Sequence, residues 1–346
     1  VKSGLISSKV GRFINEFEEK FATYSGVKYG ITTANCTASL HLALEALGIG
    51  AGDEVIVPTL TFIATANAVS YTRAKPIFVD SHSDYWCLDP EKVEKAITPR
   101  TKAIIPVHLY GHPCDMDAIM DIAKRHGLYV IEDTAEAPGA EYKGKRVGSF
   151  GEVGCFSFFG NKIISTGEGG MCLTNDEKLA EKITLLKDQG MDPDKHYWHY
   201  VVGFNYRMTN LQAAVGAAQV DKLDEFIRIR REIAEVYHSL LKDIKGVVLP
   251  PEMPWAKHVY WVYPVLIEDN FSLGRDELIE RMGKLGIETK PFFYPLHSMP
   301  PYNDGKTFPV AEELSRKGIC LPCSAKLSEQ DIELIAQAIG DISAHL

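Results

Sequence analysis

No stretch of the 346 residues approaches the roughly 18 consecutive apolar positions that cross a bilayer. The opening Val1-Lys2-Ser3-Gly4 carries no apolar targeting segment. Positive charge is in short supply: 37 Lys and Arg against 46 Asp and Glu leave a net charge of −9. That balance excludes coating of a nucleic-acid backbone or an anionic membrane, while leaving room for a local basic pocket. Cysteine is scarce and scattered, at 36, 87, 114, 155, 172, 320 and 323, which makes no disulfide framework. These absences predict a soluble cytoplasmic protein. Metal-ligand spacing is missing too. Cys320-Leu-Pro-Cys323 has no second ligand pair for zinc and opens no helix near a βαβ unit, so it reads as two reduced thiols. His108 and His112 stand four apart, but Gly111 and Pro113 break any helix that would put them on one face. No Gly-x-Gly-x-x-Gly turn follows a strand, which removes a nicotinamide oxidoreductase; Gly48-Ile-Gly50-Ala-Gly52 follows a helix and precedes a strand, the reverse order.

What is present is the balance of a folded soluble protein, 45% hydrophobic and 24% charged residues. The length suits two domains, or one large α/β unit with a smaller appendage. The first two-thirds alternates short β-rich runs with helical stretches, which predicts βαβ units around a mostly parallel sheet. Expected strands are 54–58, 76–80, 102–107, 129–133, 154–159 and 170–174, and expected helices run from Thr37 to Leu47 and from Asp115 to His126. A longer apolar repeat from Thr209 through Leu211, Val215, Leu223, Phe226, Ile227, Ile233, Tyr237 and Leu240 predicts one helix bridging two domains. Beyond Pro250, Pro251 and Pro254 come a strand from Val259 to Ile267, a helix from Arg275 to Leu285, an extended segment at 287–293 and a last helix from Ser328. The expected division is a large α/β domain over 1–208, a linking helix over 209–245 and a small α+β domain over 246–346.

Chemistry concentrates in three places. Asn35-Cys-Thr-Ala-Ser39 opens a helix with small and polar residues, whose free amides and positive dipole end suit an anion; a plain cap by Asn35 or Thr37 is the alternative. Asp133 closes the run Tyr-Val-Ile-Glu-Asp at the carboxyl end of a strand, where ligands of open α/β sheets gather. Lys162 lies just past a β-rich run, between Gly160 and Gly167-Glu-Gly-Gly170. Burial in such backbone-dominated surroundings lowers an amine's pKa and frees it as a nucleophile toward an aldehyde.

These residues resemble the DegT/StrS family of pyridoxal-phosphate-dependent sugar aminotransferases. The likeness runs from Gly4-Leu-Ile-Ser-Ser8 to Gly318-Ile-Cys-Leu-Pro322. It rests on Asn-x-Thr-Ala at 35–38, Pro58-Thr-Leu-Thr-Phe62, His108-Leu-Tyr-Gly111, Glu132-Asp133, Phe156-Ser-Phe-Phe-Gly-Asn-Lys162, Gly167-Glu-Gly-Gly170, Asn205-Tyr-Arg-Met-Thr-Asn210 and Phe293-Tyr-Pro-Leu-His297. Within the family, Tyr197-Trp-His199 and Met299-Pro-Pro-Tyr302 look most like the members that aminate C4 of GDP-4-keto-6-deoxymannose.

The resemblance implies the fold of aspartate aminotransferase, a homodimer with active sites at the subunit interface, pyridoxal 5'-phosphate as cofactor, a nucleotide-sugar substrate and glutamate as amino donor. It implies that Lys162 holds the cofactor aldehyde and shuttles the proton, and that Asp133 pairs with the ring nitrogen. Thr37, Ala38 and Ser157 would hold the phosphate with Cys36 beside them, Phe62 would stack on the ring, and Asn205 would reach the phosphate from the neighbouring subunit. Ser8, Arg207, Lys290, Tyr294 and His297 would meet the substrate, Arg207 at a phosphate or else in a structural ion pair. Glu136 would face the cofactor's phenolic oxygen if the chain enters a helix after Asp133, or else satisfy amides at that helix start. Cys36 stands where the family commonly has Gly, Leu5 where Trp is common, Lys290 where Arg is frequent and Glu136 where Gln or His is frequent. The family also carries a short stretch ahead of Gly4, so the natural N-terminus is expected upstream. Rival readings are amination of a UDP- or dTDP-linked or 3-keto sugar, and a non-catalytic cofactor-binding regulator. The regulator would need a DNA-binding module that the acidic balance argues against. The dehydratase branch of the family places His where Lys162 stands.

Overall fold

A seven-stranded sheet organises the large domain of the computed structural model, which describes residues 4–8 and 11–344. Across the sheet the strands run Lys75–Val79, Glu54–Pro58, Thr101–Ile104, Tyr129–Asp133, Val153–Ser157, Gly170–Thr174 and Tyr29–Thr33. All are parallel except Gly170–Thr174, which is antiparallel to both neighbours. The central strands read as unbroken apolar runs because both faces of the sheet are covered. Val55, Val57, Ala103, Ile131 and Cys155 pack on one side with the helices Cys36–Ala46 and Glu177–Lys187, while Ile56, Ile104, Val130 and Phe156 pack on the other with Phe13–Ser25 and Asn210–Val220. Among the described residues no helix is long and apolar enough to cross a membrane.

The strand Tyr29–Thr33 is absent from the expected set. It is a short, Thr-rich edge strand, and its register sets Ile31 opposite Cys172 on Gly170–Thr174. Gly30 is required there, since a Cβ would lie 2.7 Å from the carbonyl oxygen of Glu18.

The single bridging helix expected over 209–245 is two helices, Asn210–Val220 and Leu223–Leu241. A capping box formed by Thr209 and Gln212 starts the first. Lys20 ends it from outside, donating to the Ala217 carbonyl at 3.3 Å and to Asp221 Oδ2 at 2.8 Å. The apolar period continues across the break because each helix buries its own stripe, one on Phe13–Ser25 and one in the small domain. Leu211 and Val215, counted from the sequence as part of that face, are exposed.

The small domain is a four-stranded antiparallel sheet in the order Val247–Val248, Tyr263–Ile267, Gly318–Leu321 and Lys290–Pro291, backed by Arg275–Lys284 and Glu329–Ala344. The strand expected from Val259 begins only at Tyr263. Val259 and Trp261 instead donate their amides to the carbonyls of Gly111 and Tyr110, both at 3.1 Å. Cys320 and Cys323 are buried free thiols, as read from the sequence.

One buried pair underpins the strand that carries Asp133. Glu132 is fully enclosed and accepts from His108 Nε2 at 3.2 Å and from the amides of Gly148, Phe150 and Gly151 at 2.6–2.9 Å. These donors hold its carboxyl below the usual range against the desolvation that pushes it up. His108 Nδ1 in turn accepts the Cys114 amide at 3.0 Å, so the ring is fully used in building the sheet's ligand edge.

Candidate active site

At the carboxyl ends of the parallel strands lies a cavity of about 400 Å³. Its walls come from the helix start at Asn35, Cys36 and Thr37, from Phe62 and Thr65, from Asp133 and Glu136, from Ser157, Phe159 and Lys162, and from Trp261 and Phe293 of the small domain. The sequence places the helix start, Asp133 and the Ser157–Lys162 segment far apart. The sheet gathers them because ligand sites of open α/β sheets form where strands end and helices begin.

Asp133 ends its strand 5% exposed, with Oδ2 accepting from Thr65 Oγ1 at 2.8 Å and Oδ1 from the Ala135 amide at 3.2 Å. Burial pushes its carboxyl above the ordinary value, opposed by these two donors and by the Lys162 charge. Glu136 sits three residues on, where the chain makes turns and no helix starts, so it satisfies no helix-start amides there. The turn instead aims its Oε2 at the amide of Tyr110, 2.6 Å away. Tyr110 adopts a left-handed conformation (φ 55°) that presents this N–H. Burial raises the Glu136 carboxyl to about 7. Lys162 lines the cavity; desolvation lowers its pKa, and the charges of Glu136 and Asp133 hold it back up.

The raised Glu136 has a consequence for the chain without ligand. Between its ordinary 4.5 and about 7 the folded form keeps a proton that the unfolded form releases. Stability is therefore lost as pH rises through this window and stays lost above it. Glu136→Gln keeps an acceptor for Tyr110 and removes the titration. Its stability relative to the native chain is expected to rise by about 3 kcal/mol between pH 4.5 and pH 8 in urea unfolding. A pH-independent difference would show that Glu136 titrates normally.

The helix Cys36–Ala46 begins with Asn35 as its cap, the side chain accepting the Ala38 amide at 2.9 Å. Ala38 is buried, donates its amide to the Asn35 cap and is not among the described lining residues of this cavity. Cys36 and Thr37 line the cavity with first-turn amides. Ser157 Oγ lies across from them, accepting the Phe159 amide at 3.3 Å. Phe62 is exposed toward the opening, its ring 6.0 Å from that of Phe293.

The remaining expected residues lie outside this cavity. Arg207 pairs with Asp188 and donates to Ser8 Oγ at 3.0 Å, the ion-pair alternative for that residue. Asn205 is exposed and contributes nothing to the cavity of its own chain. Lys290 is exposed, 3.4 Å from Glu288, and Tyr294 opens onto a separate shallow groove with Arg275 and Lys306. His297 is buried with both ring nitrogens engaged, Nδ1 2.7 Å from Thr59 Oγ1 and Nε2 3.1 Å from Glu312, so it ties a strand end to the small domain. Thr65, Phe293 and Trp261 also line the cavity and carry none of the expected roles. Thr65 stands three residues beyond the Pro58–Phe62 motif, but nothing local marks it as the partner of Asp133.

An amine for an aldehyde, a buried carboxylate for a ring nitrogen, a second carboxyl, a helix start with hydroxyls for a phosphate and aromatic rings for a flat heterocycle form a donor set that fits pyridoxal phosphate group by group.

Comparison with known proteins agrees with that set. Over 97% of its length the chain is 51% identical to a GDP-perosamine synthase of Caulobacter vibrioides and 48% identical to one of Escherichia coli O157:H7, covering 91% of each. A GDP-perosamine synthase of Vibrio cholerae is 42% identical over 98% of this chain and 93% of its own. Among solved structures, S. venezuelae DesV superposes with a TM-score of 0.94 at 38% identity, covering all of this chain and 92% of that one. Residues 1–340 match the description DegT/DnrJ/EryC1/StrS aminotransferase, and the chain belongs to that family.

Proposed function

We propose that the chain is a pyridoxal-phosphate-dependent aminotransferase that converts GDP-4-keto-6-deoxymannose to GDP-perosamine with glutamate as amino donor, working as a homodimer with shared sites. The observation that carries this is an amine, Lys162 Nζ, set at the floor of a cavity with two buried carboxylates, opposite a helix start. The three GDP-perosamine synthases at 42–51% identity support the choice of sugar.

When bound, pyridoxal phosphate supplies an aldehyde that carries the amino group between donor and keto sugar, and a ring that takes up the electron pair released at the substrate carbon. Lys162 Nζ would hold the aldehyde carbon and, when free, would move the proton at the substrate carbon. Burial lowers the cost of reaching its neutral, nucleophilic form. Asp133 would hold a proton at the ring nitrogen, and that positive charge would oppose the burial penalty on its carboxyl. Thr65 and Ala135 fix its two oxygens. Glu136, with a pKa near 7, shares one proton with the phenolic oxygen so that two anions do not face each other. Cys36, Thr37 and Ser157 bind the phosphate, and Phe62, Phe293 and Trp261 exclude water from the reacting carbon.

A surface rich in exposed apolar residues supports the dimer. Tyr197, Trp198, Tyr200, Val201 and Val202 crowd one loop, next to Asn205 in sequence, and Leu211 and Val215 follow on the next helix. Patches of this kind on a soluble protein mark interfaces. Asn205 then serves the neighbouring chain's phosphate. Mixed dimers of a Lys162→Ala chain and an Asn205→Ala chain are expected to regain activity in one site of two; no complementation would mean that each chain works alone.

The substrate is tested by single-turnover mixing of the aminated enzyme with GDP-, UDP- and dTDP-linked keto sugars. GDP-4-keto-6-deoxymannose is expected to restore the aldehyde absorbance fastest. A faster UDP- or dTDP-linked sugar would replace it in this reading, and no return with any sugar would favour a non-catalytic role.

A further inference from the structure

Lys162 touches a residue that none of the expected roles includes. Its Nζ lies 3.6 Å from the centre of the Trp261 ring. That ring is half-buried, lines the cavity, and donates its Nε1–H to the Asn161 carbonyl at 2.9 Å, one residue before the lysine.

Trp261 is held there by the backbone of both domains. Its amide donates to the Tyr110 carbonyl at 3.1 Å, and the Tyr110 amide donates to Glu136 at 2.6 Å. Arg230, buried in the long helix, donates to the Trp261 carbonyl at 2.8 Å. Tyr260 takes a left-handed φ of 46°, a conformation that costs a non-glycine residue energy, just before the indole and ahead of the strand that starts at Tyr263. Gly111 makes the close pass feasible, since a Cβ there would lie 2.9 Å from Val259 Cγ2 and 3.1 Å from the Tyr260 amide. One chain of contacts thus runs from Glu136 through Tyr110 to Trp261 and ends on Lys162.

We propose that Trp261 is a positioning residue whose indole face holds the free Lys162 ammonium at the cavity floor between transfers, so that the small domain sets where the amine waits. The face of an indole attracts a cation and favours the charged form of the amine. The other groups around Nζ are Asp133 from the strand end, Glu136 from the turn and Cys36 from the helix start, with Glu168 on the cavity wall. Trp261 therefore works with the carboxylates and against desolvation.

This inference takes Lys162 as the reacting amine, as proposed above. Its test reads the amine alone, so it can fail while that assignment stands. Lys162 in the cofactor-free chain is labelled with trinitrobenzenesulfonate across pH, and the labelled peptide is quantified. Trp261→Phe, which keeps a ring and loses the bond to Asn161, is expected to titrate close to the native chain. Trp261→Leu is expected to shift the midpoint down by roughly half to one pH unit. Trp261→Met gives the same comparison should the leucine variant fail to fold. A midpoint unchanged in the leucine or methionine variant, or lowered equally by phenylalanine, would overturn the proposal.

Discussion

Turnover of the keto sugar is expected to fall by on the order of 10⁵–10⁶ in Lys162→Ala, the scale seen when a reacting group is removed from an otherwise intact site. The alanine chain loses the only lysine amine among the described residues that line the cavity. Asp133 and Glu136 remain, but their carboxylates form no covalent link to an aldehyde and are held by Thr65, Ala135 and Tyr110. The helix start at Cys36 and Thr37 and the Ser157 hydroxyl are untouched, so cofactor retention is expected in dialysed protein at reduced affinity. The rate is read from product formation. Activity within about a hundredfold of native would mean that another group moves the proton.

Asp133→Asn is expected to cost about 10³–10⁴ in turnover, comparable to replacing a buried carboxylate that orients a catalytic ring or removing a charge-stabilising donor. The geometry says why the isosteric change is severe. Two donors, Thr65 Oγ1 at 2.8 Å and the Ala135 amide at 3.2 Å, face the two carboxylate oxygens. An asparagine oxygen accepts the Ala135 amide and its NH₂ donates to the Thr65 hydroxyl, which also accepts, so the bonds are kept and only the charge is lost. No anion is then left to hold a proton on a ring nitrogen. The variant is expected to bind cofactor and to fail in proton removal from the substrate carbon, which a substrate deuterium isotope effect on turnover separates from weak binding. Near-normal turnover would remove Asp133 from this role.

Much of the site was legible because its parts stand on the best-patterned elements. The strand Tyr129–Asp133 reads as an apolar run closed by acids, and the sheet needs that run because both of its faces are covered. Asn35 announces the helix Cys36–Ala46 by the ordinary chemistry of a cap. Lys162 stood out because glycines flank it on both sides. What stayed hidden depends on contacts between distant segments. Tyr29–Thr33 is an edge strand with one large aliphatic residue, and its partner lies far along the chain. At the break at Asp221 and Lys222 the contacts come from Lys20, far back in the chain, which no periodicity in the second segment reveals. Val259 and Trp261 look like strand residues by composition, and their amides pair instead with the Gly111 and Tyr110 carbonyls. His297 belongs to a recognisable motif, but its ring nitrogens are engaged by Thr59 and Glu312 from two other elements.

The central claim is that the chain carries its cofactor on one lysine at the cavity floor. Borohydride reduction of the enzyme loaded with pyridoxal phosphate, followed by peptide mapping, tests it most directly. Reduction is expected to fix the pyridoxyl group on the peptide containing Lys162, in a stoichiometry of about one per chain. A label on any other lysine, or none after reduction of fully loaded enzyme, would contradict the account.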